Sequence, residues 1–65
     1  MHRLRFRRWL KAYRFVNDIN ALGYEWNPIR IRKHKRWYYL EYESMDPRKV
    51  TAYFYQHIHY YSSYK

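Results

Sequence analysis

The sequence predicts a small α+β domain with the order α-β-β-α, in which two helices pack on one face of an antiparallel hairpin. Three observations predict it: helical periodicity over residues 4–22, two alternating stretches over 29–43, and a second helical pattern from about residue 47. We expect a single small domain over 1–65 whose last residues, 62–65, fray. An isolated two-stranded sheet is barely stable in water, so either the helices supply most of the core or a second copy of the chain extends the sheet.

The first predicted helix, residues 4–22, is amphipathic. At about 100° per residue, one broad face is apolar and the opposite narrow stripe is basic. The apolar face comprises Phe6, Trp9, Leu10, Ala12, Tyr13, Val16 and Ile19, and the basic stripe comprises Arg3, Arg7, Lys11 and Arg14. Gly23 follows directly, and it predicts the C-terminal cap because glycine adopts a left-handed conformation without a Cβ penalty.

The hairpin is predicted from two runs in which residues alternate between two faces. If residues 33–36 form a four-residue turn, Ile31 lies opposite Tyr38 and Arg32 lies opposite Trp37. This register gives a core face of Ile29, Ile31, Tyr38, Leu40 and Tyr42, and an outer face of Arg30, Arg32, Trp37 and Tyr39. The two faces do not mix, which supports the hairpin.

The second helix is predicted over residues 47–61. Asp46 and Pro47 are typical of the N-cap and first position of a helix. Val50, Phe54, His57, Ile58 and Tyr61 then recur at helical spacing. The β-favouring residue types in this segment leave a strand over 50–61 as the alternative, and the cap favours the helix.

Composition indicates a polyanionic partner. The net charge is +9, and residues 1–36 carry eleven Lys and Arg against two acids, whereas residues 37–65 carry three against three. The chain has no cysteine, which excludes disulfides and thiolate zinc sites and suits a reducing, cytoplasmic compartment. Neither a secretory leader nor a membrane span is predicted.

The predicted chemistry is nucleic-acid binding, because phosphates attract cations and unstacked bases stack on flat rings. The predicted contact residues are Arg3, Arg7, Lys11, Arg14, Arg30, Arg32, Lys33, Lys35, Arg36, Trp37, Tyr39, Arg48 and Lys49. Two other interpretations stay open. The arginines of the hairpin could simply cover Tyr39 and Trp37 by cation–π contact, and the basic helix stripe could be a solvated face or lie on an anionic membrane.

No catalytic residue, metal site or cofactor is predicted. The candidates are His34, His57, His59, Glu41, Glu43 and Asp46. His57 and His59 diverge on a helix, and we expect His57 to be an interior histidine of the apolar face. Glu41 and Glu43 share a strand face and could hold a divalent cation with His59, but the surrounding arginines make a nuclease the weaker hypothesis.

Tyrosines are concentrated near the C-terminus. Five of the ten lie in the last thirteen residues: Tyr53, Tyr55, Tyr60, Tyr61 and Tyr64. They predict a protein interface, since tyrosine gives large contact area at low entropic cost, or else they compensate for a small core.

In size, charge and lack of cysteine, the chain resembles small basic early proteins of tailed phages, many of which disable a host enzyme or defence system. Within that group it is similar to RNA-binding inhibitors of toxin–antitoxin endoribonucleases. The resemblance covers composition alone, and it implies RNA and a host protein as partners and the host cytoplasm as location. The residues themselves predict a non-catalytic nucleic-acid-binding protein that prefers RNA or single strands, because exposed rings cannot reach bases stacked inside a duplex. An inhibitor of a host protein, a homo-oligomer and a peripheral membrane protein are the alternatives.

Overall fold

The structure, a computed structural model that describes residues 1–62, is a three-stranded antiparallel sheet with helices on one face. The elements in chain order are β1 (His2–Phe6), α1 (Trp9–Leu22), β2 (Asn27–His34), β3 (Trp37–Glu43), α2 (Pro47–Gln56) and the short α3 (Ile58–Tyr61). The strand order is β1-β3-β2, so β3 is the central strand. The predicted α+β class, with the helices against one face of a β2–β3 hairpin, is confirmed.

Strand β1 was not predicted, and the prediction that the first helix begins at residue 4 is wrong. Leu4 and Phe6 are buried while Arg3 and Arg5 are exposed, which is the alternation of a half-buried strand. Leu4 lies opposite Leu40 of β3 in this antiparallel pair. The third strand therefore comes from the same chain and gives the hairpin the support that it needs.

Helix α1 buries only part of the predicted apolar face: Ala12 and Ile19 are buried as predicted, and Phe15, which was not assigned to that face, is buried beside them. Ala12, Phe15 and Ile19 are fully buried, spaced by three and four residues as one helix face requires. Trp9 and Tyr13, which were predicted to be core residues, are about half exposed, at 48% and 46%. Leu10 is also exposed. The helix ends as predicted: Gly23 has a φ of 76° and donates its N–H to the carbonyl oxygen of Asn20.

The hairpin has the predicted faces in a different register. Its turn consists of two residues, Lys35 and Arg36, where four were predicted. Ile31 pairs with Leu40, two positions from the predicted Tyr38. A shift of two residues leaves every side chain on its predicted face. Ile29 is the exception, because the register shifts between Pro28 and Arg30 and leaves Ile29 exposed.

Helix α2 confirms the helical prediction and ends earlier than expected. The helix is interrupted at His57, whose N–H donates to the carbonyl oxygens of Tyr53 and Phe54, and α3 begins at the next residue. His57 is exposed, so the prediction of an interior histidine is wrong, and its ring lies 4.5 Å from that of Tyr53. Within residues 1–62 the Asp46 side chain makes no capping hydrogen bond, and the Asp46 backbone N–H donates to Ser44 Oγ at 3.2 Å. Of the segment predicted to fray, 63–65 lie outside the described residues.

The core is aromatic and centres on Phe15. Its ring lies 5.6 Å from Phe6, 5.9 Å from Phe54 and 5.1 Å from Tyr61, mostly edge to face. The hydroxyl of the buried Tyr61 donates a hydrogen bond to Asp18 Oδ2. Burial raises the pKa of Tyr61 far above its usual range, so the hydroxyl stays protonated and continues to donate. These rings tie α1, β1 and the α2–α3 segment together.

Candidate nucleic-acid interface

The sheet surface that faces away from the helices, here called the outer face, is basic and aromatic. Antiparallel pairing places cations of both edge strands beside the residues of the central strand that point outward. Tyr39 is flanked by Arg5 on one side and Arg32 on the other. The outer face comprises Arg3, Arg5, Arg30, Arg32, His34, Trp37, Tyr39 and Glu41.

Guanidinium groups from β1 and the bend after it cover the aromatic rings. The Cζ atoms of Arg5 and Arg7 lie 4.3 and 4.6 Å from the Trp37 ring centroid, and that of Arg3 lies 5.7 Å from Tyr39. The alternative interpretation of the sequence had named Arg30 and Arg32 as the covering residues, whereas Arg3, Arg5 and Arg7 lie over these rings. A stacked guanidinium keeps its in-plane N–H donors available for an anion.

Glu41 is the buried counter-ion of the outer face, only 1% exposed. Its Oε1 accepts from Arg30 Nε at 2.5 Å, and Arg3 Nη2 lies 3.2 Å from its Oε2. The hydrogen bond from Arg30 lowers the pKa of Glu41, against the opposing effect of burial. The carboxylate therefore stays ionised and fixes an arginine from each edge strand. Glu43, which the weaker nuclease hypothesis grouped with Glu41 as a cation ligand, is paired with the N-terminal ammonium at 2.9 Å.

The tip of the hairpin is also positive. Lys33, Lys35 and Arg36 are all exposed there, as predicted. Lys33 lies on the helix side of the sheet, with its Nζ 5.6 Å from the Tyr38 ring centroid. Lys35 adopts a φ of 57°, the left-handed region that lysine rarely enters.

The basic stripe predicted for the first helix does not exist as one ridge. Arg3 lies on β1 and Arg7 in the bend, and both reach the outer face. Lys11 and Arg14 belong to α1 and meet at Tyr60 instead. Lys11 Nζ lies 3.4 Å from the Tyr60 ring centroid, and Arg14 Nη1 donates to the Tyr60 hydroxyl at 2.7 Å. The hydrogen bond from Arg14 raises the Arg14 pKa and lowers that of Tyr60.

Arg48 and Lys49 are not brought to the outer face. They lie in the first turn of α2, which packs on the opposite side of the sheet. The Arg48 side chain is 96% exposed, and its Nε lies 3.9 Å from Asp46 Oδ1. The two residues are thus separate from the basic surface of the sheet.

The predicted tyrosine interface is divided. Tyr55 and Tyr60 are exposed, which keeps them available as contact residues. Tyr53 is half-buried against the core. Tyr61 is fully buried, so the prediction that it lies in an interface is wrong. Tyr64 lies outside the described residues.

Arg5 was not among the predicted contact residues, and Arg7 was predicted as part of a helix stripe and not of the outer face. A signal for them was present, since Arg3, Arg5 and Arg7 alternate with Leu4 and Phe6. The sequence prediction instead began the first helix at residue 4 and so included this segment in it. Over so short a stretch the sequence fits both the period of a strand and the period of a helix, and pairing with β3 decides between them.

Two other features were sought in residues 1–62, a metal-ligand cluster and a membrane-spanning helix. This part of the chain contains no group of three or more His, Asp or Glu that could hold a metal ion. None of its helices is both long and apolar enough to cross a membrane. Comparison of the chain with protein-family models, with curated proteins and with solved structures gave no match.

Proposed function

We propose that the protein is a non-catalytic nucleic-acid-binding protein that prefers RNA or other single strands and contacts them through the outer face. One observation carries the proposal: three adjacent strands place four arginines and a histidine around Trp37 and Tyr39. The acid on that face, Glu41, is buried beneath them. A solvated surface would instead intersperse exposed charges of both signs.

The arrangement suits a flexible strand with accessible bases. The guanidinium groups that lie over the rings can donate N–H groups to phosphate oxygens, and guanidinium planes also stack on unpaired bases. Tyr39 and Trp37 are only partly buried, so a base can displace a guanidinium and stack on the ring. Phosphate contacts carry no sequence information, so we expect low sequence specificity.

The test compares a single-stranded oligoribonucleotide with a duplex of the same length by fluorescence anisotropy over a range of salt. We expect tighter binding of the single strand, with an affinity that falls steeply as salt rises. Equal or tighter duplex binding would contradict the strand preference. Absence of RNA binding at low salt would refute the function itself.

A second candidate, an inhibitor that binds a host protein, is favoured by a separate exposed patch. Trp9 and Tyr13 stack with ring centroids 5.2 Å apart and planes at 11°, and Ile29 is exposed at the neighbouring edge strand. Exposed aromatic rings beside arginines are typical of binding hot spots between proteins. This candidate predicts a stoichiometric complex that survives ribonuclease and is lost on Trp9→Ala. A complex that ribonuclease dissolves would assign the association to RNA.

A further inference from the structure

Strand β2 is an edge strand of the sheet. Among residues 1–62 it pairs with β3 alone, since the strand order is β1-β3-β2. The turn of two residues makes His34 and Trp37 the first hydrogen-bonded pair, and such pairs alternate with non-hydrogen-bonded pairs along an antiparallel ladder. Ile31 and Lys33 therefore direct their backbone N–H and carbonyl groups away from β3. These are the groups with which an added strand forms hydrogen bonds.

A groove lies beside this edge, on the helix side of the sheet. It is a cavity of about 290 Å³ lined by residues of α1, β2 and β3, and most of them are apolar. Trp9, Tyr13 and Ile29 form part of this lining, and each is about half exposed. Large apolar side chains that are exposed together are typical of a surface that binds another molecule.

The charges of β2 determine which strand can pair with this edge. Arg30, Arg32 and Lys33 are cations, and the strand contains no acid. A second copy of β2 in antiparallel pairing places these cations against one another, and like charges directly opposite each other destabilise a sheet. Glu41 of β3 is already the ion-pair partner of Arg30 and of Arg3. An acidic strand is therefore the complementary partner of this edge, and a second copy is not.

Two features oppose pairing at the beginning of β2. Pro28 has no N–H to donate, and the register shifts between Pro28 and Arg30. From Arg30 to His34 the register with β3 is regular, so this segment has the geometry of an ordinary edge strand. Its cations oppose pairing with a basic strand and favour pairing with an acidic one. An edge that is only protected from pairing needs no apolar groove beside it.

We propose that β2 binds an extended segment of another protein in which acidic and apolar residues alternate. The segment pairs with β2 as an additional antiparallel strand, which keeps the whole sheet antiparallel. Its side chains point alternately to the two faces of the sheet. The apolar ones enter the groove beside Trp9 and Tyr13, and the acidic ones lie beside Arg30 and Arg32. The inference rests on the second candidate function, the binding of a host protein, and it specifies the binding mode and the chemistry of the partner.

The first experiment adds synthetic peptides to the isotope-labelled protein, without RNA, and follows the backbone amide signals by nuclear magnetic resonance. A peptide in which glutamate and valine alternate is compared with a peptide of the same composition in which the valines follow the glutamates as a block, and with an alternating peptide of lysine and valine. We expect the alternating glutamate peptide to bind at least about ten times more tightly than both controls, because they lose or reverse its cross-strand ion pairs.

The amide signals also report where the peptide binds. The alternating glutamate peptide should shift the signals of Ile31 and Lys33, whose N–H groups point away from β3. Equal affinities of the three peptides, or shifts confined to other elements, overturn the proposal. No measurable binding of the alternating glutamate peptide at millimolar concentration overturns it as well.

N-methylated peptides test the strand pairing itself. Residues that exchange hydrogen bonds in an antiparallel pair lie opposite each other on one face of the sheet, so Ile31 pairs with a valine of the docked peptide. N-methylation of the valines should therefore abolish binding, whereas N-methylation of the glutamates should preserve it. If the two methylated peptides bind alike, pairing along β2 is overturned.

Variants then locate the site. Arg32→Glu should lower the affinity for the alternating glutamate peptide and raise that for the lysine peptide, and Tyr13→Ala should weaken binding of the glutamate peptide. The control Lys49→Glu makes the same change of net charge on α2 and should leave both affinities nearly unchanged. Should Arg32→Glu fail to fold, Arg32→Gln takes its place and should lower the affinity for the glutamate peptide. Equal effects of the Arg32 and Lys49 variants overturn the assignment.

Two measurements separate this proposal from the alternatives. A dimer in sedimentation analysis that the alternating glutamate peptide dissociates assigns β2 to a second copy of the chain and overturns the proposal. A complex with a host protein that survives ribonuclease but is not displaced by this peptide retains the second candidate function and overturns docking on β2. Peptide binding in the absence of any such complex supports docking on β2 and refutes the second candidate function.

Discussion

Replacing Arg5 and Arg32 together with alanine should weaken the binding of single-stranded RNA and reduce its sensitivity to salt. Both residues lie directly opposite Tyr39, one on each edge strand. Neither is an ion-pair partner of Glu41 among the described residues, unlike Arg3 and Arg30. The double substitution therefore removes two cations of the outer face and leaves both ion pairs of Glu41 in place.

The size of the effect follows from counterion release. Each phosphate contact on a single strand contributes about 0.7 to the slope of log affinity against log salt, so losing two contacts should lower the slope by about 1.4. If this contribution vanishes near 1 M salt, the affinity at about 0.1 M falls roughly 25-fold. The fold should survive, because the contact between Arg5 and Trp37 is a surface cation–π pair that contributes about 0.5–1 kcal/mol.

The assay is fluorescence anisotropy of a labelled oligoribonucleotide at several salt concentrations, with circular dichroism to confirm folding. The control is Arg48→Ala with Lys49→Ala, which removes the same charge from α2 on the other side of the sheet. We expect the control to retain most of the slope. If the two double variants lose equal affinity, net charge rather than the outer face drives binding, and an unchanged slope in the Arg5 and Arg32 variant would refute phosphate contact at this face.

Three further predictions concern stability. Because the hydrogen bond from Arg30 lowers the pKa of Glu41, the carboxylate stabilises the fold above its ordinary pKa of 4.5, and that contribution is lost as the pH falls through the lower folded value. Urea denaturation should thus show a deficit in Glu41→Gln at neutral pH that shrinks in acid; a deficit independent of pH would contradict the ion pair. Lys35→Gly should stabilise the fold by about 1 kcal/mol, because glycine has no steric cost at a φ of 57°. The melting temperature should rise by about 4–8 °C, and a lower melting temperature would contradict the left-handed turn. Phe15→Ala should lower the free energy of unfolding, measured by thermal unfolding, by about 3–5 kcal/mol, whereas the exposed Trp9→Ala should lower it by less than about 1 kcal/mol. Equal losses would contradict the orientation of α1.

The faces of the hairpin were predictable because side chains on a strand alternate with a period of two. The register was not, because a shift of two residues leaves the same faces. Ile31 and Leu40 belong to the core face whether the turn has two residues or four. The turn length depended on Lys35 entering left-handed space, a region in which hairpin loops favour glycine or asparagine. Lysine has no preference for the left-handed conformation, so the sequence did not indicate a two-residue turn.

The orientation of α1 was ambiguous in the sequence for a physical reason. The helix has two apolar stripes, one with Trp9 and Tyr13 and the other with Ala12, Phe15 and Ile19. Both stripes carry large aromatic residues, so helical periodicity alone does not choose between them, and the small side chain of Ala12 favours close packing of the second stripe. Packing against the β1 and β3 residues decides between them, and β1 itself was not predicted.

The candidate site was predicted in part, because its hairpin residues are adjacent in sequence and the others are not. Arg32 and Tyr39 are joined by a short turn, so a local pattern could place them together. Arg5 reaches the same tyrosine only because β3 is the central strand, a fact of strand order that no local pattern contains. The role of Glu41 as a counter-ion depends on the same order, since its two arginines come from opposite edge strands.

Strand β1 therefore links the stability of the fold to the assembly of the proposed binding surface. Its inward residues, Leu4 and Phe6, complete the core, and its outward residues, Arg3 and Arg5, complete the outer face. Since both sets alternate on one strand, the arginines reach Trp37 and Tyr39 only when the core on the other side has formed. The many charges at the start of the chain are thus held at fixed positions by the same pairing that hides its apolar residues, which distinguishes them from a disordered basic arm.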